Sequence, residues 1–404
     1  MSRFYDQNKE LLRREPPLME SEQNRSVWKI QKKRWIRWLV SAAAVTGFVL
    51  FLIHFNHFDR ISLISTEGRT FERGRVVEIR SDNLQEDGSR TGQQKVLVEI
   101  RSGSMKGKLV EATSNNGYLF GAACEPGMDV IVIQSVSGDI SIHTVYSVDR
   151  EWAVLGFVVL FLAVVCIIGG RKGFYACVSL IFTFICIIWL YIPMIYKGYS
   201  PFFAAVLVAA VTTFLTMYLL GGWSGKTLCA AAGTVSGVII AGVSACMFGA
   251  AVHISGYNVS DIESLTVLEN IHGIRVGELL FSGLLISALG AVMDVGMSIS
   301  STVFEIHANN PELGAKELFH SGMNVGRDAM GTMVNTLILA FVGSGVSTLL
   351  LNYAYELPYL QIINSNNMVI EIMQGISGSL GVVLTIPIVS LMASFTAARW
   401  GSSS

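Results

Sequence analysis

Seven long apolar runs follow one another from Trp152 onward, and they constrain the fold more than any other feature of the chain. A helix needs about 20 mostly apolar residues to cross the hydrocarbon core of a bilayer. Only 15% of all residues are charged, whereas soluble proteins average about 25%. The runs therefore predict membrane-spanning helices rather than a soluble core. They lie near residues 152–169, 174–193, 201–221, 227–251, 278–303, 332–352 and 374–397.

The N-terminal part predicts one further span. Residues 1–33 are polar and are expected to form a cytoplasmic tail, and an apolar stretch follows within residues 34–56. Basic residues precede this stretch, and positive charge is retained on the cytoplasmic side of a membrane. A cleaved signal peptide is the alternative, but it requires a small-residue cleavage site that the sequence after the stretch does not offer. Residues 34–56 are therefore predicted to be an uncleaved anchor.

Basic residues in the later loops indicate the orientation of the spans. Six fall on one side of the eight predicted helices, and only Lys197 and Arg275 flank the other side. Because positive charge marks the cytoplasmic side, the sequence predicts a multi-pass protein of the cell membrane with both termini in the cytoplasm. Residues 151–404 then form a seven-helix membrane domain. The six residues are Arg171, Lys172, Lys226, Lys316, Arg327 and Arg399.

Residues 60–150 carry short alternating strands instead of apolar runs. Alternation of apolar and polar residues is typical of half-buried strands, and turn signals such as Pro126-Gly127 separate the strands. The pattern predicts a small extracytoplasmic β-barrel, similar to the OB fold, between the first and second spans. Nucleic-acid binding is not expected, because the segment lacks an aromatic platform on which bases stack. The strands fall at 76–79, 96–100, 108–112, 130–133 and 140–145.

The sequence predicts neither a metal site nor a cofactor. No CxxC or Cys/His spacing typical of metal ligands occurs. The segment 221–227 resembles a phosphate-binding loop, but three residues separate Gly221 from Gly225 where the motif requires four. No strand precedes the segment either, so nucleotide binding is not expected.

Asp294 is the one formally charged residue deep within a predicted span. An ionisable residue at that depth is costly and is a functional hypothesis by default. Ser298, Ser301 and Glu305 follow at intervals of four, seven and eleven residues. At helical spacing these side chains share one stripe with Asp294. A polar stripe from mid-membrane to the cytoplasmic end of the helix predicts a proton or ion pathway.

Polar residues of the following segment extend this hypothesis. Asn335 lies in the next span, where it can hydrogen-bond Asp294 across a helix interface. Asn324, Arg327 and Asp328 are expected in the cytoplasmic loop before that span. A purely structural role, in which a neutral Asp294 is hydrogen-bonded to Asn335 or a serine, stays open.

Two segments carry a resemblance to a known family. The segments are ALGAVMDVGMS at 288–298 and SGMNVGRDAMGTMVNTLILA at 321–340, with Asn310-Pro311 between them. They look like the YibE/F family of bacterial membrane proteins. The resemblance extends over residues 70–400. It implies a multi-pass membrane protein of a family found mostly in Gram-positive bacteria, for which no activity is established.

The order of these elements is also similar, more weakly, to the core of SecD/SecF and RND-type permeases. In those proteins intramembrane acids couple proton flow to work, which the resemblance implies for Asp294. The chain departs from that pattern in having eight predicted spans rather than six, and in having a much smaller ectodomain.

Two functions follow from these features. The first is a transporter or permease component that is proton-coupled through Asp294. The second is a non-transporting scaffold whose β-domain binds an envelope or membrane partner. A water-connected cavity that reaches Asp294 favours the first, and a dry bundle favours the second. An enzyme is not expected, because Asp294 has no second deep acid and no Ser/His pair lies in register with it. The sequence carries no signal for a substrate or an oligomeric state.

Overall fold

The computed structural model describes residues 46–58, 68–86, 90–115, 121–137, 140–259 and 262–400. The predicted cytoplasmic tail lies outside these residues, as does the first part of the predicted anchor. The chain divides into two compact units. The helical unit comprises Met1–Asp59, Thr183–Thr212 and Ala231–Ser404, and the barrel unit comprises Arg60–Phe182 and Thr213–Ala230.

Five strands form a closed barrel in the order β1-β2-β3-β5-β4. Neighbouring strands are antiparallel except β3 and β5, which are parallel. Alternate residues such as Val76, Val96, Val98 and Val132 point inward and are fully buried. The five-stranded barrel that the sequence predicts is therefore confirmed: four predicted strands lie within observed ones, and the fifth, at 108–112, begins one residue before β3. The strands are β1 Arg69–Ser81, β2 Gln93–Ile100, β3 Leu109–Asn115, β4 Asp129–Ser137 and β5 Ile140–Val148.

Helices account for most of the remaining described residues. They are α1 Thr46–Phe55, α2 Glu151–Cys186, α3 Ile192–Tyr196, α4 Pro201–Gly221, α5 Gly225–Ala251, α6 Ile262–His272, α7 Leu279–Asn309, α8 Ala315–Ser344, α9 Val346–Ala354, α10 Tyr359–Ile363 and α11 Asn366–Trp400. A π-helical segment, Ile187–Tyr191, joins α2 to α3, and a 3-10 turn, Val276–Glu278, precedes α7.

Helix α2 contains a reversal of the chain. Gly170 has a non-helical backbone (φ 53°, ψ −129°), and the sulfur atoms of Cys166 and Cys177 lie 3.6 Å apart. Eleven residues of straight helix would separate those residues by about 16 Å. The chain therefore folds back at Gly170, between the spans predicted at 152–169 and 174–193.

The spanning helices that can be counted among the described residues are fewer than the eight that the sequence predicts for the whole chain. By length and composition, the described residues contain five helices able to cross a membrane, or six if the bent pair α8–α9 counts as one span. The continuous stretch Glu151–Tyr196 counts once among the five despite its reversal at Gly170. The eight-span arrangement stays a prediction.

Small residues bring the helices of the helical unit close together. A Cβ atom at Gly381 of α11 would lie 2.8 Å from the Ala241 Cβ and 2.9 Å from the Gly237 carbonyl oxygen of α5. A Cβ at Gly326 of α8 would lie 2.2 Å from Cγ2 of Ile386 on α11. Close backbone approach of this kind is typical of helix packing in membranes.

Candidate functional site

Asp294 lies at the middle of α7, fifteen residues from Leu279 and fifteen from Asn309. At helical rise each end is about 22 Å away. The apolar residues of α7 recur at helical spacing and bury one face of the helix, which includes Val292, Val295, Ile299 and Val303. The side chain of Asp294 projects from the opposite, exposed face.

The predicted polar stripe is present on this exposed face of α7. Asp294, Ser298 and Glu305 are exposed, and Ser301 is half-buried beside them. Among the residues that the structure describes, the Asp294 carboxylate has no hydrogen-bond or ion-pair partner. The same face continues toward the start of α7 through small residues that are also exposed: Gly283, Ser287 and Gly290.

The end of α7 adjoins a groove of about 580 Å³. Ser301 and Glu305 line it, so the structure brings two of the predicted pathway residues together. Asp294 does not line the groove; it lies about three turns of helix before Glu305. The remaining lining residues are Thr302, Ile306, Asn309, Asn310 and Leu313.

Asn324, Arg327 and Asp328 lie in a helix, which corrects their predicted position in a loop. Helix α8 begins at Ala315, where the Gly314 N–H donates to Glu317 Oε2 at 3.0 Å and caps the first turn. The helix continues through the polar segment because its glycines pack closely against neighbouring helices. Arg327 and Asp328 remain exposed on the other side of α8. Exposed charge is also typical of a loop, and this explains the wrong prediction.

The predicted hydrogen bond between Asp294 and Asn335 is not formed. A Cβ at Gly322 would meet Val303, and one at Gly326 would meet Ile299. These two contacts define an antiparallel register between α7 and α8. Continued along both helices, this register places Asp294 opposite Gly331, which is about one helical turn from Asn335. Asn335 lies on the exposed face of α8 and has no hydrogen-bond partner within the described part of the chain.

A second acid, Glu371, lies in the second turn of α11. It borders a cavity of about 700 Å³ that also contacts α7, α8 and α9 through residues such as Leu280, Phe341 and Thr348. One carboxylate oxygen of Glu371, Oε2, is buried and has no hydrogen-bond partner within the described part of the chain. Sequence reasoning missed this residue, because the apolar run that predicts the last span begins at residue 374.

The Glu371 cavity adjoins a break between two helices. Helix α8 ends at Ser344, α9 begins at Val346, and the two helix axes differ by 59°. A Cβ atom at Gly345, within the break, would lie 3.4 Å from Oε1 of Glu371. Non-helical backbone at membrane depth is tolerated where it is buried in protein or lines a water-filled cavity. The sequence signal was Gly343-Ser344-Gly345, since clustered glycine and serine mark a break.

These features define a class: helical proteins with several helices long and apolar enough to cross a membrane, a small separate barrel, and two acids in those helices that have no partner among the described residues. Residues 157–399 match the family model of YibE/F-like proteins, and the chain belongs to that family. The matched region begins after the barrel and includes both Asp294 and Glu371. No curated protein and no solved structure is similar enough to the chain to count as a match.

Proposed function

We propose that the chain is a multi-pass transporter or permease component of the cell membrane rather than an enzyme. In this proposal the barrel is extracytoplasmic and both termini are cytoplasmic, as the loop charges indicate. The Glu371 cavity receives the solute, and Asp294 couples proton movement to its passage. The observation that carries the proposal is the cavity itself, in which a buried carboxylate oxygen without a partner lies beside a broken helix.

The helix break supports a solute site. In secondary transporters, substrate sites are typically formed by discontinuous helices whose unwound backbone faces the ligand. Here the break at Gly345 faces the Glu371 carboxylate. A cavity volume of about 700 Å³ falls within the range of about 300–1,000 Å³ that is usual for small-molecule sites.

The position of Asp294 supports a coupling role. A charged Asp at the centre of a spanning helix costs about 3 kcal/mol on insertion scales. No partner among the described residues offsets that cost. The polar stripe continues from Asp294 through Ser298 to the groove that Ser301 and Glu305 line. The proposed proton path runs along this face.

The alternative is a scaffold whose barrel binds an envelope partner. One observation favours it, since the barrel exposes large apolar side chains on its surface. Phe71 and Tyr146 are 56% and 48% exposed, and their ring centroids lie 5.6 Å apart. Ile142 is exposed on the same barrel. Exposed apolar patches often mark protein-binding sites.

Flux measurements separate the two functions. The full chain is reconstituted into liposomes that contain a pH-sensitive dye, and gradients of candidate solutes are applied. Transport predicts solute-dependent proton movement that Asp294→Asn lowers to the level of empty liposomes, because Asn keeps the shape but cannot titrate. The control Glu263→Gln removes an exposed carboxylate on α6 and should leave the flux unchanged. Wild-type flux equal to that of empty liposomes for every solute would favour the scaffold.

A further inference from the structure

The Glu371 cavity presents an acceptor that lacks a donor. Oε2 of Glu371 is shielded from solvent and accepts no hydrogen bond from any described residue. An unsatisfied buried acceptor carries a desolvation cost, and a ligand that donates a hydrogen bond to it removes that cost. Hydrogen bonds in which both groups are charged are the strongest of this kind. The carboxylate therefore favours a cationic donor.

The remaining walls of the cavity are largely apolar. Leu280, Phe341, Leu349 and Met368 contribute hydrocarbon and aromatic surface. The other polar side chains on the walls are uncharged: the amides of Asn258, Asn367 and Gln374 and the hydroxyls of Ser344 and Thr348. Such walls favour a ligand with an apolar body, because burial of apolar surface stabilises the bound state. A fully hydrated inorganic ion has no apolar surface to bury.

The ligand set does not fit a metal ion. Calcium takes six to eight oxygen ligands and magnesium six, usually with more than one carboxylate. Among the residues with described positions, no group of three or more His, Cys, Asp or Glu side chains is arranged to hold a metal. Among the described residues, Glu371 is the one carboxylate that borders the cavity.

We propose that the cavity binds an organic ammonium ion: its N–H groups donate to the Glu371 carboxylate, and its apolar body contacts Leu280, Phe341 and Leu349. This inference names the solute class for the proposed transporter and rests on that function for its meaning. The binding itself can be measured without any flux.

The test uses the full chain in lipid nanodiscs, with empty nanodiscs as the blank. The probe is 2-phenylethylammonium, and 2-phenylethanol is its neutral analogue of similar shape. We expect saturable binding of the ammonium and affinity for the alcohol that is weaker by about tenfold or more, because the alcohol lacks the charge-assisted hydrogen bond. Equal affinity for both compounds, or no saturable binding of the ammonium, would overturn the inference.

Variants then assign the charge preference to Glu371. Glu371→Gln should weaken ammonium binding by about tenfold and leave alcohol binding unchanged, since the cavity keeps its shape. Glu371→Asp keeps the charge and should retain most of the preference for the ammonium over the alcohol. Retained binding in this variant would show that the loss in Glu371→Gln comes from the missing charge and not from misfolding. The matched control Glu263→Gln should bind both compounds like the wild type. Undiminished ammonium binding by Glu371→Gln would contradict the assignment, as would displacement by an equal concentration of sodium.

Binding and flux fail separately. Ammonium binding without any solute-dependent flux would support the cavity assignment and refute the transport function. Flux of other solutes without ammonium binding would support the transport function and refute the cavity assignment.

Discussion

The barrel and the long helices of the helical unit differ in whether particular polar groups have hydrogen-bond partners. In the barrel, Asp129 accepts two hydrogen bonds from Arg75, at 2.8 and 2.9 Å. Gln94, with 0% exposure, donates to the Cys124 carbonyl at 3.0 Å and accepts from the Cys124 N–H at 2.9 Å. Polar groups paired in this way stabilise one fold, since removal of either partner strands the other.

The long helices of the helical unit instead hold two acids without partners. The Asp294 carboxylate meets no donor on the described residues, and Glu371 leaves a buried oxygen unpaired. Neither acid contributes a contact whose loss would harm folding. The paired groups Asp129 and Gln94 stabilise the barrel, whereas no described residue pairs with the Asp294 carboxylate or with the buried oxygen of Glu371.

The largest effect that would test this comparison is on transport at Asp294. Asp294→Asn and Asp294→Leu should both abolish solute-dependent proton flux, because neither side chain titrates. Both variants should keep the wild-type thermal midpoint in detergent, because no hydrogen-bond partner is stranded. Loss of folding in the Leu variant, with normal flux in the Asn variant, would place Asp294 among structural groups like those of the barrel.

The second effect concerns Gln94 in the barrel. Gln94→Ala strands the N–H and carbonyl of Cys124 and should destabilise the barrel by about 3 kcal/mol. Burial raises the pKa of the Cys124 thiol, so in the native barrel the thiol should react slowly. In a full chain whose other five cysteines are replaced by serine, labelling of Cys124 should be roughly 100-fold faster in Gln94→Ala. Gln93→Ala, an exposed amide one residue away, should react like the parent.

A third and smaller effect returns to Glu371. Without ligand, Glu371→Gln should leave the thermal midpoint close to that of the wild type, because no hydrogen bond among the described residues is lost. Saturating 2-phenylethylammonium should raise the midpoint of the wild type but not that of the variant, because ligand binding stabilises the folded state. A lower midpoint in the variant would mean that Glu371 has a structural partner.

The sequence predicted the barrel well because its signal is local. Alternation with a period of two identifies each strand, and Val96 and Val98 show it plainly, since both are fully buried. Residues 321–328 of α8 were predicted wrongly, because exposed polar and charged residues are also typical of a loop. Only the packing of Gly322 and Gly326 against neighbouring helices shows that the segment is helical, and that contact is not local in sequence.

Only part of the candidate site was predicted from the sequence, because only part of its signal is local. Asp294 stands out in the sequence because apolar residues surround it on both sides. Glu371 does not, since Asn366 and Asn367 nearby make it resemble the polar end of a span. Its role depends on Gly345 and Phe341, which come from other helices. Distant residues assemble this cavity, and hydropathy along one segment cannot indicate it.

The smallest expected effect is the pH dependence of the stability that the Arg75–Asp129 pair contributes to the barrel. The hydrogen bond from Arg75 holds the pKa of Asp129 below its ordinary value. A carboxyl whose pKa is lower in the folded state stabilises the fold fully above the unfolded pKa, about 3.9. That contribution is lost as the pH falls from there through the folded pKa. Because both side chains are nearly half exposed, at 42% and 47%, solvent and salt weaken the pair.

Hydrogen exchange in β1 and β4 of the full chain measures this contribution. Comparison of the wild type with Asp129→Asn at each pH cancels the intrinsic exchange rate. Protection should be greater in the wild type at neutral pH, and the difference should shrink below about pH 4. High salt should reduce it at every pH. A difference that persists unchanged at pH 2 would show that Asp129 acts through its shape, so that charge pairing in the barrel would contribute less than the comparison assigns to it.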